Sequence, residues 1–272
     1  MGTAIVGDEA PRFVAASPYQ EFARFYDHVM GDATTGLIER NFERTRRRYR
    51  IEFASAADIG CGTGRLLLRL SRYCDVLYGV DNSSAMLAQA RRRTRNKNIR
   101  LMRQDLRELQ LPQRVDLITC TFDTLNYLTT PARMRAALRR VSENLRNGGH
   151  FVADVITGAG ERKHTRRIRQ RVRLLNASSS WLVTMDGPRG VSRVEMSWLG
   201  KGKDGRLRRW REAHLQRWHP LSWICRLLRQ YGLLVRGVHN VASYAPATAR
   251  TFWAHLVARK GGPTDDGRFS EY

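Results

Sequence analysis

Ala54-Ser55-Ala56-Ala57-Asp58-Ile59-Gly60-Cys61-Gly62-Thr63-Gly64-Arg65-Leu66-Leu67-Leu68-Arg69-Leu70 is the stretch on which the fold turns. Ala54 to Ile59 is a short apolar run, three glycines follow at alternate positions, and Arg65 to Leu70 reads as a helix. The pattern predicts a strand, a tight glycine turn and a helix N-terminus. Glycine has no Cβ and reaches positive φ without penalty, so a ligand's polar end can approach such a turn closely, and the helix's first N–H groups offer donors to an anion. A nucleotide, a carboxylate or a plain unliganded turn all satisfy the triplet taken alone.

Downstream, the chain alternates strand and helix. Val76 to Val80 is apolar and ends at Asp81, after which Asn82 and Ser83 supply a cap for a helix holding Met86, Leu87 and Ala90. Ile99 to Arg103 precedes Asp105, and Val115 to Cys120 runs into Thr121-Phe122-Asp123. Pro131 opens a helix with Met134, Leu138, Val141 and Leu145 on one stripe, which Gly148-Gly149 close before a strand from His150 to Val155. Such alternation predicts a Rossmann-like α/β fold, a doubly wound and mostly parallel seven-stranded sheet with its ligand at the carboxyl ends of the strands.

Upstream, Met1 to Ala16 lacks periodicity and is expected to be mobile. Tyr19 to Met30 and Thr35 to Tyr49 carry apolar residues at helical spacing on either side of Gly31, predicting a helical cap over residues 1–50. The alternation breaks after Asp154. Val172–Leu175, Ser180–Met185, Ser192–Trp198 and Trp210–Trp218 read as strands separated by turn signals at Asp186-Gly187-Pro188 and Asp204-Gly205. They predict an antiparallel insertion after the fifth strand of the core, a lid over 158–219 that interrupts a core of 51–157 and 220–260. Pro220 then starts a helix to Tyr231, strands are expected at Leu233–Val241 and Thr251–Arg259, and 261–272 reads as a disordered tail.

The chain has 272 residues and a net charge of +23, from 48 Lys+Arg against 25 Asp+Glu; only five of the basic residues are Lys. A field of that sign attracts nucleic acid, anionic lipid or acidic substrates. The arginines are dispersed along the whole chain, however, as an arginine-rich codon usage would also leave them, and this reading is favoured over a nucleic-acid role. Cys61, Cys74, Cys120 and Cys225 lie far apart with no C-x-x-C pair, which argues against a zinc site or a disulfide framework and for reduced thiols in a cytoplasm. The start of the chain has no basic-then-apolar leader and no run reaches the length of a membrane span, so a cytoplasmic protein without membrane contact is expected.

Three acids fall at strand ends in order: Asp58, Asp81 and Asp105. A carboxylate just past the second strand can accept both hydroxyls of a ribose. Asp105 is placed to accept from an adenine amino group, and Met86, one turn into its helix, can pack on the base. Singly, each is equally an ordinary strand-end acid or core methionine; in this order they point to a nucleoside.

Asp58-Ile59-Gly60-Cys61-Gly62-Thr63-Gly64, Gly79-Val80-Asp81-Asn82-Ser83 with Met86-Leu87, Gln104-Asp105-Leu106, Asp116-Leu117-Ile118 and Leu145-Arg146-Asn147-Gly148-Gly149 resemble class I S-adenosylmethionine-dependent methyltransferases. The resemblance covers about Tyr19 to Lys260. It implies that the glycine turn holds the methionine end of S-adenosyl-L-methionine rather than a pyrophosphate. The cofactor set it implies is Tyr26, Asp58, Gly60, Cys61, Gly62, Gly64, Asp81, Asn82, Met86, Asp105, Leu106, Thr121 and Phe122. No metal is called for.

Phe25-Tyr26-Asp27, Thr121 to Leu128 and Arg211-Glu212-Ala213-His214-Leu215-Gln216-Arg217 resemble, more narrowly, the branch that methylates small molecules, including amino groups of sugars and amino acids. There the insertion forms a lid and often a dimer contact, which implies a small-molecule acceptor and a homodimer through the β insertion. The segment after the fourth strand lines the transfer site, and the position of Tyr127 carries Tyr or His near the acceptor. The high arginine content and Asp123 depart from that branch. An amine acceptor must be uncharged when it attacks, and Tyr127, His214 and Asp123 are the candidates for a positioned base. Each has a bland counterpart, as a packing aromatic, a satisfied strand histidine and a loop acid.

RNA methylation, or O- or C-methylation of a small metabolite, are the alternatives. Against nucleic acid, the segment after the fourth strand is Thr-Phe-Asp-Thr rather than the Asn/Asp-Pro-Pro-Tyr/Phe type that grips a flipped base amine, and no proline precedes Cys120 as a cytosine-C5 nucleophile would require.

Overall fold

The computed structural model describes residues 13–95, 97–159, 165–174, 177–201 and 206–261. The chain opens with β1 (Phe13–Ala16), a single 3-10 turn at Phe22–Arg24 and α1 (Tyr26–Arg48). β2 (Ser55–Ile59), α2 (Arg65–Leu70), β3 (Val76–Asp81), α3 (Ser84–Thr94), β4 (Ile99–Arg103), β5 (Val115–Cys120), α4 (Pro131–Asn144) and β6 (Leu145–Ile156) follow. Then come β7 (Thr165–Leu174), β8 (Ala177–Asp186), β9 (Val191–Lys201), β10 (Leu207–Arg217), α5 (Leu221–Gln230), β11 (Leu233–Asn240) and β12 (Trp253–Lys260).

The expected seven-stranded sheet is present, in the order β11-β12-β6-β5-β2-β3-β4. β12 runs antiparallel to both of its neighbours, and the pairs from β6 to β4 are parallel. Every residue of β2 is buried because helices cover both faces of the sheet. On one face Met134, Leu138 and Val141 of α4 and Ile224 and Leu228 of α5 pack on Ile59, Val80, Ile118 and Phe151. On the other, Phe42 of α1, Leu66, Leu67 and Leu70 of α2 and Leu87 of α3 pack on Ala56, Leu77, Leu117 and Val152. Strand order reverses between β2 and β5, so the crevice of the doubly wound fold opens beside the glycine turn.

The insertion supplies four antiparallel strands, β10-β9-β8-β7, to a separate five-stranded sheet that β1 completes beside β10. Its inner face presents Met196, Trp198 and Trp210 to Phe22, with Phe25, Tyr26 and Val29 packed alongside, so cap and lid share one apolar cluster.

Several boundaries differ from the sequence reading. Residues 13–16, expected to be mobile, pair parallel with β10 from Phe13 beside Arg209 to Ala16 beside Glu212, which ties the cap segment into the lid sheet. The helix expected from Tyr19 is delayed to Tyr26, because Tyr19 lies at φ 61° and begins a turn. Gly31 at φ 67° and ψ 167° does break the helical path as expected, although helix continues on both sides of it. α4 stops at Asn144 rather than at Gly148-Gly149. Those glycines lie inside β6, where a Cβ on Gly149 would stand 2.9 Å from the Arg146 carbonyl. Beyond Gly261 the expected tail lies outside the described residues. Among the described residues, no helix is long and apolar enough to cross a membrane, and no group of three or more His, Cys, Asp or Glu is arranged to hold a metal.

Candidate active site

A cavity of about 770 Å³ opens at the carboxyl ends of β2, β3, β4 and β5, beneath the turn that leads into the cap. Its floor is the glycine turn. Gly60, Gly62 and Gly64 lie at φ 69°, 53° and 81°, in the region where a side chain costs about 1–2 kcal/mol. A Cβ on Gly60 would stand 2.5 Å from the Thr124 side chain. Gly60 and Cys61 N–H both donate to the Val80 carbonyl (2.7 and 3.0 Å), Gly62 N–H to Asp81 Oδ2 (2.9 Å) and Gly64 N–H to the Cys61 carbonyl (2.9 Å). These four amides are therefore satisfied within the protein, so the glycine turn's own N–H groups are not the donors of an anion cradle. What the turn offers a ligand is close approach. Gly64 does not line the cavity: its missing Cβ would stand 3.2 Å from Ala90 Cβ, so it lets α2 pack on α3. From behind, Arg93 donates to Thr63 O and Oγ1 (2.8 and 2.7 Å) and to Asp27 Oδ2 (2.7 Å), while the Thr63 hydroxyl donates to Asp27 Oδ1 (2.7 Å), clamping the turn to α1 and α3.

The other twelve residues of the cofactor set all line the cavity. Asp81 accepts from Gly62 and, at 2.8 Å, from Ser83, leaving lone pairs of both oxygens toward the cavity for a vicinal diol. Burial raises its pKa, and the backbone donors oppose that rise. Asp58, 2% exposed, accepts from the Thr119 hydroxyl (2.7 Å), and burial pushes its pKa up to about 7. Met86 is buried on the wall beside Asn82, its helix capped by the Ser83 hydroxyl, which accepts from Met86 N–H (3.2 Å). Asp105 and Leu106 form the opposite end. The expectation that Asp105 waits for an adenine amino group needs amending: Arg107 forks its carboxylate through Nε and Nη2 (2.8 and 2.6 Å) and holds its pKa below the usual carboxylate range. An adenine amine would share an acceptor that is already ion-paired.

Thr121, Phe122, Tyr26 and Tyr127 line the end nearest the lid. Phe122 and Asp123 are consecutive left-handed residues, φ 55° and 48°, held by Asp154, whose Oδ2 and Oδ1 accept their N–H groups at 2.9 and 2.6 Å. Trp253 Nε1 donates a third bond to Asp154 (3.0 Å), and burial pushes this acid up to about 6. Because of that turn, Asp123 points away from the cavity, toward Gln216 of β10, whose amide donates to it. Burial and the neighbouring Asp154 raise Asp123 to about 7. Of the three base candidates, only Tyr127 lines the cavity. Its hydroxyl is 2.9 Å from His214 Nδ1 and 2.5 Å from the Tyr19 hydroxyl. His214 is a buried residue behind it, and burial raises both phenol pKa values far above their ordinary range.

Tyr19, Asp154 and Glu212 were not singled out from the sequence. Glu212 and His214 alternate along β10 and so share its inner face, a signal that Glu-x-His within a strand carries; Tyr19 and Asp154 offer no such local sign.

Residues 56–149 match a family model described as a methyltransferase domain. A dTDP-3-amino-3,6-dideoxy-alpha-D-glucopyranose N,N-dimethyltransferase of Streptomyces fradiae is 34% identical over 108 residues, 40% of this chain and 42% of that protein. The chain spans about half the length of the curated relatives it matches. Among solved structures, an S-adenosylmethionine-dependent methyltransferase from Clostridium acetobutylicum ATCC 824 superposes with a TM-score of 0.76 at 21% identity, covering 89% of this chain and 98% of that one. A sugar N-methyltransferase from Streptoalloteichus sp. ATCC 53650 does so with a TM-score of 0.68 at 20% identity, covering 96% and 98%. Residues 56–149, from β2 into β6, are thus similar to a methyltransferase domain, and the seven-stranded sheet that holds them has the fold of solved S-adenosylmethionine-dependent methyltransferases.

Proposed function

We propose that the protein transfers a methyl group from S-adenosylmethionine to an amine of a small molecule. The observation that carries this reading is one cavity lined both by the glycine turn with Asp81 and by Tyr127. Its floor is the glycine turn with the Asp81 carboxylate beside it, and its lining includes a phenol backed by a histidine beneath the junction of cap and lid. The names of relatives that dimethylate amino sugars support an amine acceptor.

The residues fit the cofactor. Gly60 and Gly62 leave room for its amino-acid end, Asp81 suits the ribose hydroxyls, and Met86 and Leu106 offer apolar surface to the base. When bound, S-adenosylmethionine supplies a methyl group on a good leaving group, so alignment is the main demand on the protein, and well-oriented pairs gain roughly 7–11 kcal/mol. Tyr127 orients the acceptor and takes up its proton, with His214 behind it. Asp123 acts indirectly, by joining the transfer-site turn to the lid through Gln216.

Calorimetry with S-adenosylmethionine, followed by mass spectrometry of products from a panel of amino-sugar nucleotides, free amino sugars, amino acids and RNA, tests the reading. Cofactor binding with methylation of a small amine is expected. Absence of cofactor binding, or methylation of RNA alone, would overturn it. The charge enters the same experiment: compositional arginine predicts weak polyanion binding that is lost steeply between low and physiological salt.

A further inference from the structure

The acceptor end contains a carboxylate that the reading above does not use. Glu212 is 1% exposed, and its Oε1 accepts from the backbone N–H groups of Glu21 (2.7 Å) and Phe22 (2.9 Å), while Oε2 accepts from that of Tyr19 (2.9 Å). The remaining direction of Oε2 faces His214 Nε2 at 3.4 Å, and among the described residues His214 is the one side chain in ion-pair range of it. A buried carboxylate bound by three backbone donors is an acceptor, so the hydrogen between Glu212 and His214 belongs to Nε2. The bare nitrogen is then Nδ1, which accepts from the Tyr127 hydroxyl, and Tyr127 Oη accepts in turn from Tyr19. The same carboxylate also holds the Tyr19–Phe22 turn, in which Tyr19 adopts its left-handed conformation.

We propose that Glu212 is the positioning residue of the acceptor end, fixing both the tautomer of His214 and the seat of Tyr19, so that the proton shed by a methylated amine leaves through Tyr127. This rests on the amine-methylation reading. As the amine gains its fourth substituent it becomes an ammonium. Its proton passes to Tyr127 Oη while the Tyr127 hydroxyl proton passes to His214 Nδ1. The product is then a neutral amine, Tyr127 is restored, and His214 is an imidazolium beside the Glu212 carboxylate. The Tyr19 hydroxyl, donating to Tyr127 Oη, steadies the negative character that atom acquires during the exchange. The imidazolium returns its proton to solvent after the product departs.

The groups that face His214 are Glu212 on its own strand, Tyr127 after β5 and Tyr19 in the cap turn, whose ring centroid lies 4.6 Å away, with Phe22 as an apolar neighbour. Asp123 acts on both phenols through its charge.

The unaltered protein provides the first test. Long-range proton–nitrogen NMR on histidine-labelled protein, with His214 assigned through loss of its signal in His214→Asn, should show the Nε2–H tautomer at neutral pH. An Nδ1–H tautomer would overturn the proposal whatever the enzyme's substrate. In Glu212→Gln, kcat should fall at least about tenfold and the His214 signals should lose their single Nε2–H tautomer, because the carboxylate that accepts that hydrogen is gone. Affinity for S-adenosylmethionine should stay within about twofold. A fall in kcat with the Nε2–H tautomer of His214 retained assigns Glu212 to architecture alone and overturns the proposal. Tyr19→Phe keeps the carboxylate's backbone bonds, so it serves should Glu212→Gln fail to fold: it should lower kcat with cofactor affinity and histidine tautomer unchanged, and unaltered kcat would remove Tyr19 from the path. If the unaltered protein fails to bind the cofactor, the amine-methylation reading fails, while the tautomer measurement still stands by itself.

Discussion

Asp58→Asn isolates the cost of keeping a carboxylate beneath the glycine turn. Asp58 is 2% exposed, and burial raises its pKa from 3.8 to about 7. A rise of about three units corresponds to about 4 kcal/mol between the two protonation states. That is a ceiling, since Asp58 lines a cavity that admits water and sites in real proteins behave as if far more polarisable than a dry interior; about 2 kcal/mol is the working figure. The sign follows from the direction of the shift. The folded pKa is above the unfolded one, so the folded state binds the proton more tightly; the resulting stability is fully present below about pH 4 and is lost as pH rises toward 7. Asn carries no charge at any of these pH values and its carbonyl can still accept from Thr119, which donates to Asp58 Oδ1 at 2.7 Å. Paired thermal melts without cofactor from pH 4 to 8 should therefore show the variant equal to the native protein at the acid end. At pH 8 it should be more stable, by about 4–8 °C for a chain of this size. A difference that does not change with pH, or an Asn variant less stable at pH 8, would refute the burial argument.

Gly60→Ala should be costly beyond the about 1–2 kcal/mol of a left-handed alanine, because its Cβ would stand 2.5 Å from Thr124; loss of S-adenosylmethionine binding by calorimetry is expected, and unchanged affinity would show that the turn does not approach the ligand. Asp81→Ala should weaken the cofactor at least about tenfold, about 1.4 kcal/mol, and equal affinity would remove it from the ribose site. Asp154→Ala strands the N–H groups of Phe122 and Asp123 and the Trp253 indole, so a loss of about 3 kcal/mol or more in urea melts is expected; a loss below about 1 kcal/mol would show that the left-handed pair supports itself.

The end of the cavity built on the glycine turn was legible in the sequence because its parts are local. The glycine turn sits between a strand and a helix whose apolar patterns announce them, and Asp81 and Asp105 follow strands in an order that a parallel sheet converts into neighbours in space. The limits were also local in origin. Glycine spacing reports where a backbone can be approached, but not where its amides are spent; Val80 and Asp81 take up donors that the pattern alone would have left for an anion. Spacing likewise placed Gly64 with Gly60 and Gly62, although only contact with Ala90 distinguishes a packing glycine from a ligand-facing one. Arg107 lies two residues after Asp105 and bends back onto it, which hydrophobic periodicity does not register.

Beneath the lid the decisive contacts join residues of widely separated sequence positions: Tyr19 to Tyr127, Tyr127 to His214, and Glu212 to the backbone of the cap turn. No window of sequence holds more than one side of these contacts, and the segment before Tyr19 seemed structureless because its partner is β10 rather than anything nearby. That pairing has a functional consequence. β1 pairs with β10, and Glu212 holds the cap turn from that same β10, which carries His214 and Gln216, so β10 is attached to Tyr19, Tyr127 and Asp123 at once. A displacement of β10 would shift the acceptor end while the glycine turn, clamped by Asp27 and Arg93, keeps its place. On the amine-methylation reading proposed above, acceptor specificity can thus change along the lid strand, and the bond from the Ser83 hydroxyl to the Tyr19 carbonyl (3.1 Å) is the route by which such a change would reach Asp81.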